Sequence, residues 1–161
     1  MDIRVLTPND WEQFKQIRLQ ALQTDPQAFF VTYEKELETS DEEWKNKLQK
    51  QTHVYVGAFE GECTVGLAGA FTMDTPQEWV LISMYVNPEF RGRDIGGQLI
   101  RAIEDIVKEK GATRLSLLVN EHMTSAVRLY EKIGFEIVET VPDQTVGDGS
   151  VVNEYRMVKQ I

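Results

Sequence analysis

Residues 84–97, Met84-Tyr85-Val86-Asn87-Pro88-Glu89-Phe90-Arg91-Gly92-Arg93-Asp94-Ile95-Gly96-Gly97, join an apolar run to a glycine-rich turn and then to a helix. Upstream, residues 78–86 are nearly all apolar, as a central strand covered on both faces would be, and Asn87-Pro88 stops it. Downstream, Ile95, Leu99, Ala102, Ile103, Ile106 and Val107 recur at helical spacing as far as Gly111. Such a junction aims several backbone N–H groups and a helix N-terminus at one place where an anion can sit. Glycines let the backbone approach a phosphate, and Arg91 and Arg93 add charge. The junction is not a P-loop, because no Gly-Lys-Ser/Thr follows, and its spacing is not that of the dinucleotide fingerprint. An ordinary glycine turn before a helix reads the same local residues equally well.

Around this junction the chain reads as an alternation of strands and helices. Asp2 to Leu6 alternates polar and apolar residues as a short half-buried strand. Thr7-Pro8 opens a helix that Asp25-Pro26 ends, with Thr7 as its cap. Residues 27–38, with Phe29, Phe30 and Tyr33, fit either a core cover or the lining of a site. Ser40-Asp41-Glu42-Glu43 has the form of a capping box and predicts a helix to about Lys50, with Trp44 and Leu48 inward. His53 to Glu60, Cys63 to Met73 and Glu78 to Val86 read as three strands, and Arg114 to Val119 as a fourth buried one. A helix with Thr124 as cap carries Ala126, Leu129, Tyr130 and Ile133 on one face and ends at Gly134. Phe135 to Val141 and Val151 to Val158 are predicted strands joined by a polar loop, Pro142 to Ser150. The order β-α-α-β-β-β-α-β-α-β-β, with no linker or internal repeat, describes one α/β (α+β) domain over residues 1–161.

Composition limits the partners. The 161 residues carry 17 Lys+Arg against 26 Asp+Glu, a net charge of −9, without a basic tail. That balance argues against nucleic acid and against an anionic membrane surface. No apolar run approaches a membrane span and the first residues lack a signal-peptide core. The one cysteine, Cys63, excludes an internal disulfide, suits a reducing cytoplasm and reads as a small buried hydrophobe. Two histidines without ligand spacing leave no metal site to expect.

The second motif is Ala126-Val127-Arg128-Leu129-Tyr130-Glu131-Lys132-Ile133-Gly134-Phe135. Its Tyr130 falls on the buried face, where a tyrosine ordinarily packs and bonds its hydroxyl. Taken together, the apolar strand ending Met84-Tyr85-Val86, the Arg-Gly-x-x-x-Gly turn and the later Leu-Tyr-x-Lys-x-Gly-Phe resemble the GNAT superfamily of N-acetyltransferases. The resemblance covers the element order of the whole chain and is sharpest over residues 79–135.

The resemblance implies a central mixed, mostly antiparallel seven-stranded sheet flanked by about four helices. It implies acetyl-coenzyme A as cosubstrate, its pyrophosphate held by Arg91, Gly92, Arg93, Ile95, Gly96 and Gly97. The preceding strand would be bulged, with backbone at Met84, Tyr85 and Val86 meeting the pantetheine arm and acetyl group. The amine would attack the thioester directly, a backbone N–H near Val86 would stabilise the oxyanion, and Tyr130 would protonate the departing thiolate. Two positions depart from the family pattern. Asp94 stands where glycine is usual, and is expected to cap its helix and point away from the phosphates. Met123 stands where asparagine is frequent, and Asn120 and Ser125 are the nearby polar substitutes. The strand glutamate that often serves as base is absent from Val80-Leu81-Ile82. Glu78 is the nearest acid, and Ser83 could order water.

The implied acceptor is a primary amine of a small molecule, with a peptide or protein amine, or a non-catalytic acyl-coenzyme A module, as alternatives. The resemblance leaves a homodimer possible, since the family often forms one, but no interface is readable in the sequence. Acids crowd residues 34–43 (Glu34, Glu36, Glu38, Asp41, Glu42, Glu43) and 133–155 (Glu136, Glu139, Asp143, Asp148, Glu154), segments that border the acceptor in the family. They suggest a cationic acceptor, or simply a solvated surface.

Overall fold

The computed structural model describes all residues from Met1 to Ile161. Strands β1 (Asp2–Val5), β2 (His53–Glu60), β3 (Cys63–Phe71), β4 (Glu78–Val86), β5 (Arg114–Asn120), β6 (Glu136–Thr145) and β7 (Val151–Gln160) form one sheet in the order β1-β2-β3-β4-β5-β7-β6. Only β4 and β5 run parallel. Helices α1 (Trp11–Thr24), α2 (Tyr33–Leu37), α3 (Asp41–Lys47), α4 (Ile95–Glu109) and α5 (Thr124–Ile133) cover it. The seven-stranded mixed sheet is as expected. The fifth helix comes from α2, inside the ambiguous segment, where Thr32 Oγ1 accepts the Lys35 N–H as a cap.

Two apolar layers hold the sheet between the helices. On one face Leu99, Ile100 and Ile103 of α4 pack with Trp79, Leu115 and Met157, extended by Val127 and Tyr130 of α5. On the other, Phe14 and Ile17 of α1 and Trp44 of α3 pack with Tyr55, Leu67 and Tyr85. The helical stripe of α4 is thus its buried face, closed by Gly111 in the left-handed region.

Several boundaries differ from the sequence expectation for local physical reasons. Thr7 precedes a short 3₁₀ turn, Pro8–Asp10, so α1 starts at Trp11. The helix after Ser40 stops at Lys47 rather than near Lys50, though Ser40 Oγ does cap the Glu43 N–H. Thr124 is the first residue of α5 and not its cap; Met123 holds that position, and the Asn120 side chain takes the His122 N–H just before it. The loop expected at Pro142–Ser150 is half strand. β6 continues to Thr145 by bulging between Val141 and Gln144, which leaves Pro142, lacking an N–H, outside the ladder. Cys63 is exposed rather than buried, because it opens β3 directly after the Gly61 turn.

Asp10 anchors the start of α1 to β1. Its carboxylate accepts the Thr7 N–H at 2.7 Å and the Thr7 hydroxyl at 3.0 Å, and meets Arg4 at 2.8 Å. These donors, the Arg4 guanidinium first, hold its pKa down at about 2. The depressed pKa makes a stabilising contribution present above the ordinary aspartate range and lost as pH falls from about 4 toward 2. Asp10→Asn is expected to cost about 1–2 kcal/mol at neutral pH, the half-exposed Arg4 keeping the figure low. Denaturant melts at neutral and acid pH check this: the gap between variant and wild type should close in acid.

Candidate active site

β4 and β5 pair only over Glu78–Val80 and Arg114–Ser116. Beyond Val80 the strands part, and their facing backbone edges open into a cavity of about 1070 Å³. The parting begins at a bulge. Leu67 and Gly69 of β3 face Tyr85 and Ile82, so β4 carries one extra residue between them, and Ser83 there has φ 56°. A non-glycine residue in the left-handed region costs on the order of 1 kcal/mol. The strain is held in place at the mouth of the seam, with Arg18 donating to Ser83 Oγ at 3.4 Å.

The glycine junction lines this cavity with Arg91, Gly92, Asp94, Ile95, Gly96 and Gly97. The Arg91 N–H bonds Pro88, and the next backbone donor used within the chain is Gln98, bonding Asp94. Residues 92–97 therefore present six consecutive backbone N–H groups with no intrachain acceptor, where a helix start alone leaves four. This is a cradle suited to a polyanion.

The arginines are placed differently from expectation. Arg91 donates to the Val86 carbonyl at 2.9 Å and to Asp25 at 2.6 Å, locking the loop to the end of α1. Arg93 lies over the Phe90 ring at 5.1 Å and does not line the cavity. Asp94 occupies the cap position with φ 58°, but its side chain caps nothing; it turns to Arg101 at 2.6 Å. Asp94→Gly should relieve the left-handed strain and lose only an exposed ion pair. We expect a melting temperature unchanged or raised by a few degrees and an anion affinity altered less than about tenfold. Thermal melts and a coenzyme A titration check both.

The remaining candidates divide. Met84, Tyr85, Val86, Asn120, Ser125 and Tyr130 all line the cavity. Asn120 is already engaged, donating to the Gln27 carbonyl at 3.1 Å. Tyr130 is 7 % exposed, and burial pushes its hydroxyl well above the usual phenol range, so it carries its proton at neutral pH. Glu78 does not reach the cavity: it lies at the closed end of the seam, 3.8 Å from Arg114 and 3.6 Å from Arg156.

The far wall comes from segments that the sequence left open. Gln27, Ala28, Phe29, Phe30 and Val31 form a roof, pinned where the Gly147 N–H bonds the Phe29 carbonyl at 2.7 Å. Arg18, Glu36 and Lys47 stand below it, Glu36 meeting Arg18 at 3.4 Å and Lys47 at 3.2 Å. Of the acids in the two acidic segments, only Glu36 and Glu154 line the cavity; the rest face elsewhere. No group of His, Cys, Asp and Glu is arranged to hold a metal ion, and no helix is long and apolar enough to cross a membrane.

The acetyltransferase (GNAT) family profile matches residues 12–135. A thialysine N-epsilon-acetyltransferase of Sus scrofa is 31% identical over 81 residues, 48% of each chain. The chain spans about half the length of the curated relatives it matches. A GNAT-family acetyltransferase from Streptococcus pneumoniae superposes with a TM-score of 0.86 at 21% identity, covering 99% of both chains. A putative acetyltransferase from Salmonella typhimurium, solved with acetyl-CoA, gives 0.83 at 18% identity, over 99% of this chain and 93% of the other.

Proposed function

Because the chain belongs to the GNAT family of acetyltransferases, we propose that it transfers an acetyl group from acetyl-coenzyme A to a primary amine of a small molecule, by direct attack of the amine. The observation that carries this reading is the row of six unbonded N–H groups at residues 92–97, five of them on residues that line the same cavity as the unpaired edge of β4 and the Tyr130 side chain. The backbone of Gly92, Ile95, Gly96 and Gly97 would hold the pyrophosphate, and that of Met84, Tyr85 and Val86 the pantetheine arm. When bound, the coenzyme supplies the acetyl thioester.

The chain's own residues then have distinct roles. A backbone donor near Val86 would stabilise the thioester carbonyl oxygen as charge builds there. Tyr130 holds a proton at its hydroxyl for the departing sulfur; its raised pKa makes it a weak acid, so the transfer depends on placement rather than acidity. Arg91 acts through Asp25, fixing the loop against α1, and leaves anion binding to the backbone. The pinned roof over the acceptor side favours a small molecule over an extended peptide.

A mass-spectrometric screen of primary amines with acetyl-coenzyme A tests the reading. Acetylated amine with stoichiometric thiol release is expected. Coenzyme that binds but yields no free thiol with any amine would instead indicate a non-catalytic acyl-coenzyme A module.

A further inference from the structure

Four carboxylates line the cavity, and three already have cations. Asp25 holds Arg91 at 2.6 Å, Glu36 holds Lys47 at 3.2 Å and Arg18 at 3.4 Å, and Asp94 holds Arg101 at 2.6 Å. The fourth is Glu154 on β7. It is 3 % exposed, forms no ion pair, and its buried Oε1 has no hydrogen-bond partner. A carboxylate withdrawn from water without a partner is costly to the fold, so its presence at a cavity wall calls for an occupant that supplies the missing charge.

Its position fits one occupant. Glu154 pairs with Asn120 of β5, and residues opposed across an antiparallel ladder share a face of the sheet. Asn120 reaches the Gln27 carbonyl on the roof, so Glu154 belongs to the roof side. Tyr130 lies on α5 and belongs to the same apolar cluster as Leu99, Ile100 and Ile103 of α4, on the other face of the sheet. The open β4–β5 seam joins the two sides into one cavity. Carboxylate and phenol thus border the gap from opposite faces.

We propose that Glu154 receives the ammonium of the acceptor and takes its proton, making it a catalytic carboxylate on β7 and selecting a cationic amine. The assignment rests on the amine-transfer reading above. In this step one N–H bond of the ammonium breaks, its electron pair stays on nitrogen as the attacking lone pair, and an O–H bond forms on Glu154. The proton later returns to solvent through the cavity mouth. The other acids are poorly placed to accept that proton, since Glu36 is engaged by two cations and Glu78 lies outside the cavity. Burial also raises the Glu154 pKa, which makes it a better proton acceptor than an exposed glutamate.

The test compares wild type, Glu154→Gln and Glu154→Asp with two kinds of acceptor at neutral pH. n-Butylamine and cadaverine arrive as ammonium ions, whereas hydroxylamine arrives uncharged and needs no proton removed before attack. Thiol release gives kcat/KM, and coenzyme A affinity is titrated in parallel. Glu154→Gln should lose about tenfold or more with the ammonium acceptors and less than about threefold with hydroxylamine, with coenzyme affinity within about twofold of wild type. Glu154→Asp should recover part of the loss. Equal losses with both kinds of acceptor, or no loss with the amines, overturn the role of Glu154. Thiol release absent from wild type with every acceptor overturns the transfer reading itself.

Discussion

Tyr130→Phe keeps the fold and the coenzyme and loses about 10²- to 10³-fold in kcat. The substitution removes one oxygen and leaves the ring that meets Phe135 at a centroid distance of 5.9 Å. The site is 7 % exposed and apolar around the ring, so the variant should melt within a degree or two of wild type or slightly above it. Removing the hydroxyl leaves the departing sulfur without the proton donor that Tyr130 is proposed to supply. Because burial raises the Tyr130 pKa, the group is protonated throughout the neutral range, and wild-type activity should show no loss from its ionisation up to the ordinary phenol range. Thiol-release kinetics and thermal melts check the prediction together. An unchanged kcat would take Tyr130 out of the proton path.

Gly147→Val raises the acceptor KM by about tenfold to a hundredfold while leaving coenzyme affinity alone, from a displacement costing about 1–3 kcal/mol. A Cβ at this position would lie 2.7 Å from the Pro26 carbonyl oxygen and 3.2 Å from those of Phe29 and Val31. All three are backbone atoms, so no rotamer change relieves the contact, and the roof must move. Backbone strain is not the cause, since Gly147 is not among the left-handed residues. The groups proposed to hold the coenzyme are on β4 and in residues 92–97, and none of them is among the atoms that this Cβ would meet. Separate measurement of acceptor KM and coenzyme Kd tests the claim; parallel losses in both would contradict it.

The fold was most legible where local pattern and packing agree. The apolar run of β4, the glycine junction and the stripe of α4 announce themselves because each residue's local preference matches its place in the sheet and its cover. Tyr130 was readable for the same reason, as one position on the buried face of α5. Residues 26–38 were not, because a 3₁₀ turn at Pro26–Ala28 and the five-residue α2 have no repeating pattern and are fixed by contacts such as Gly147 to Phe29, distant in sequence. The partner of Arg91, Asp25, lies 66 residues away and could not be read from the glycine junction itself. Glu154 shared only the collective signal of the acidic stretch 133–155, which did not single it out. Within Val151-Val152-Asn153-Glu154-Tyr155 it reads as one more acid on a half-exposed strand, and only pairing with Asn120 beneath the roof removes it from water.

The short contact between β4 and β5 has a consequence for how the protein comes apart. Three residue pairs join β1–β4 to β5–β7, whereas β5 and β7 share seven. The sheet is therefore close to two cooperative units, joined otherwise by the apolar layer that α4 shares with Leu115 and Met157 and by the Lys159–Glu104 ion pair, and amides along the weak junction should exchange with solvent at lower cost than those inside either half. A molecule lying between the parted strands takes the place of the missing ladder. Its binding energy then becomes cohesion between the halves, so that saturation with coenzyme should raise the unfolding temperature and merge two steps of opening into one.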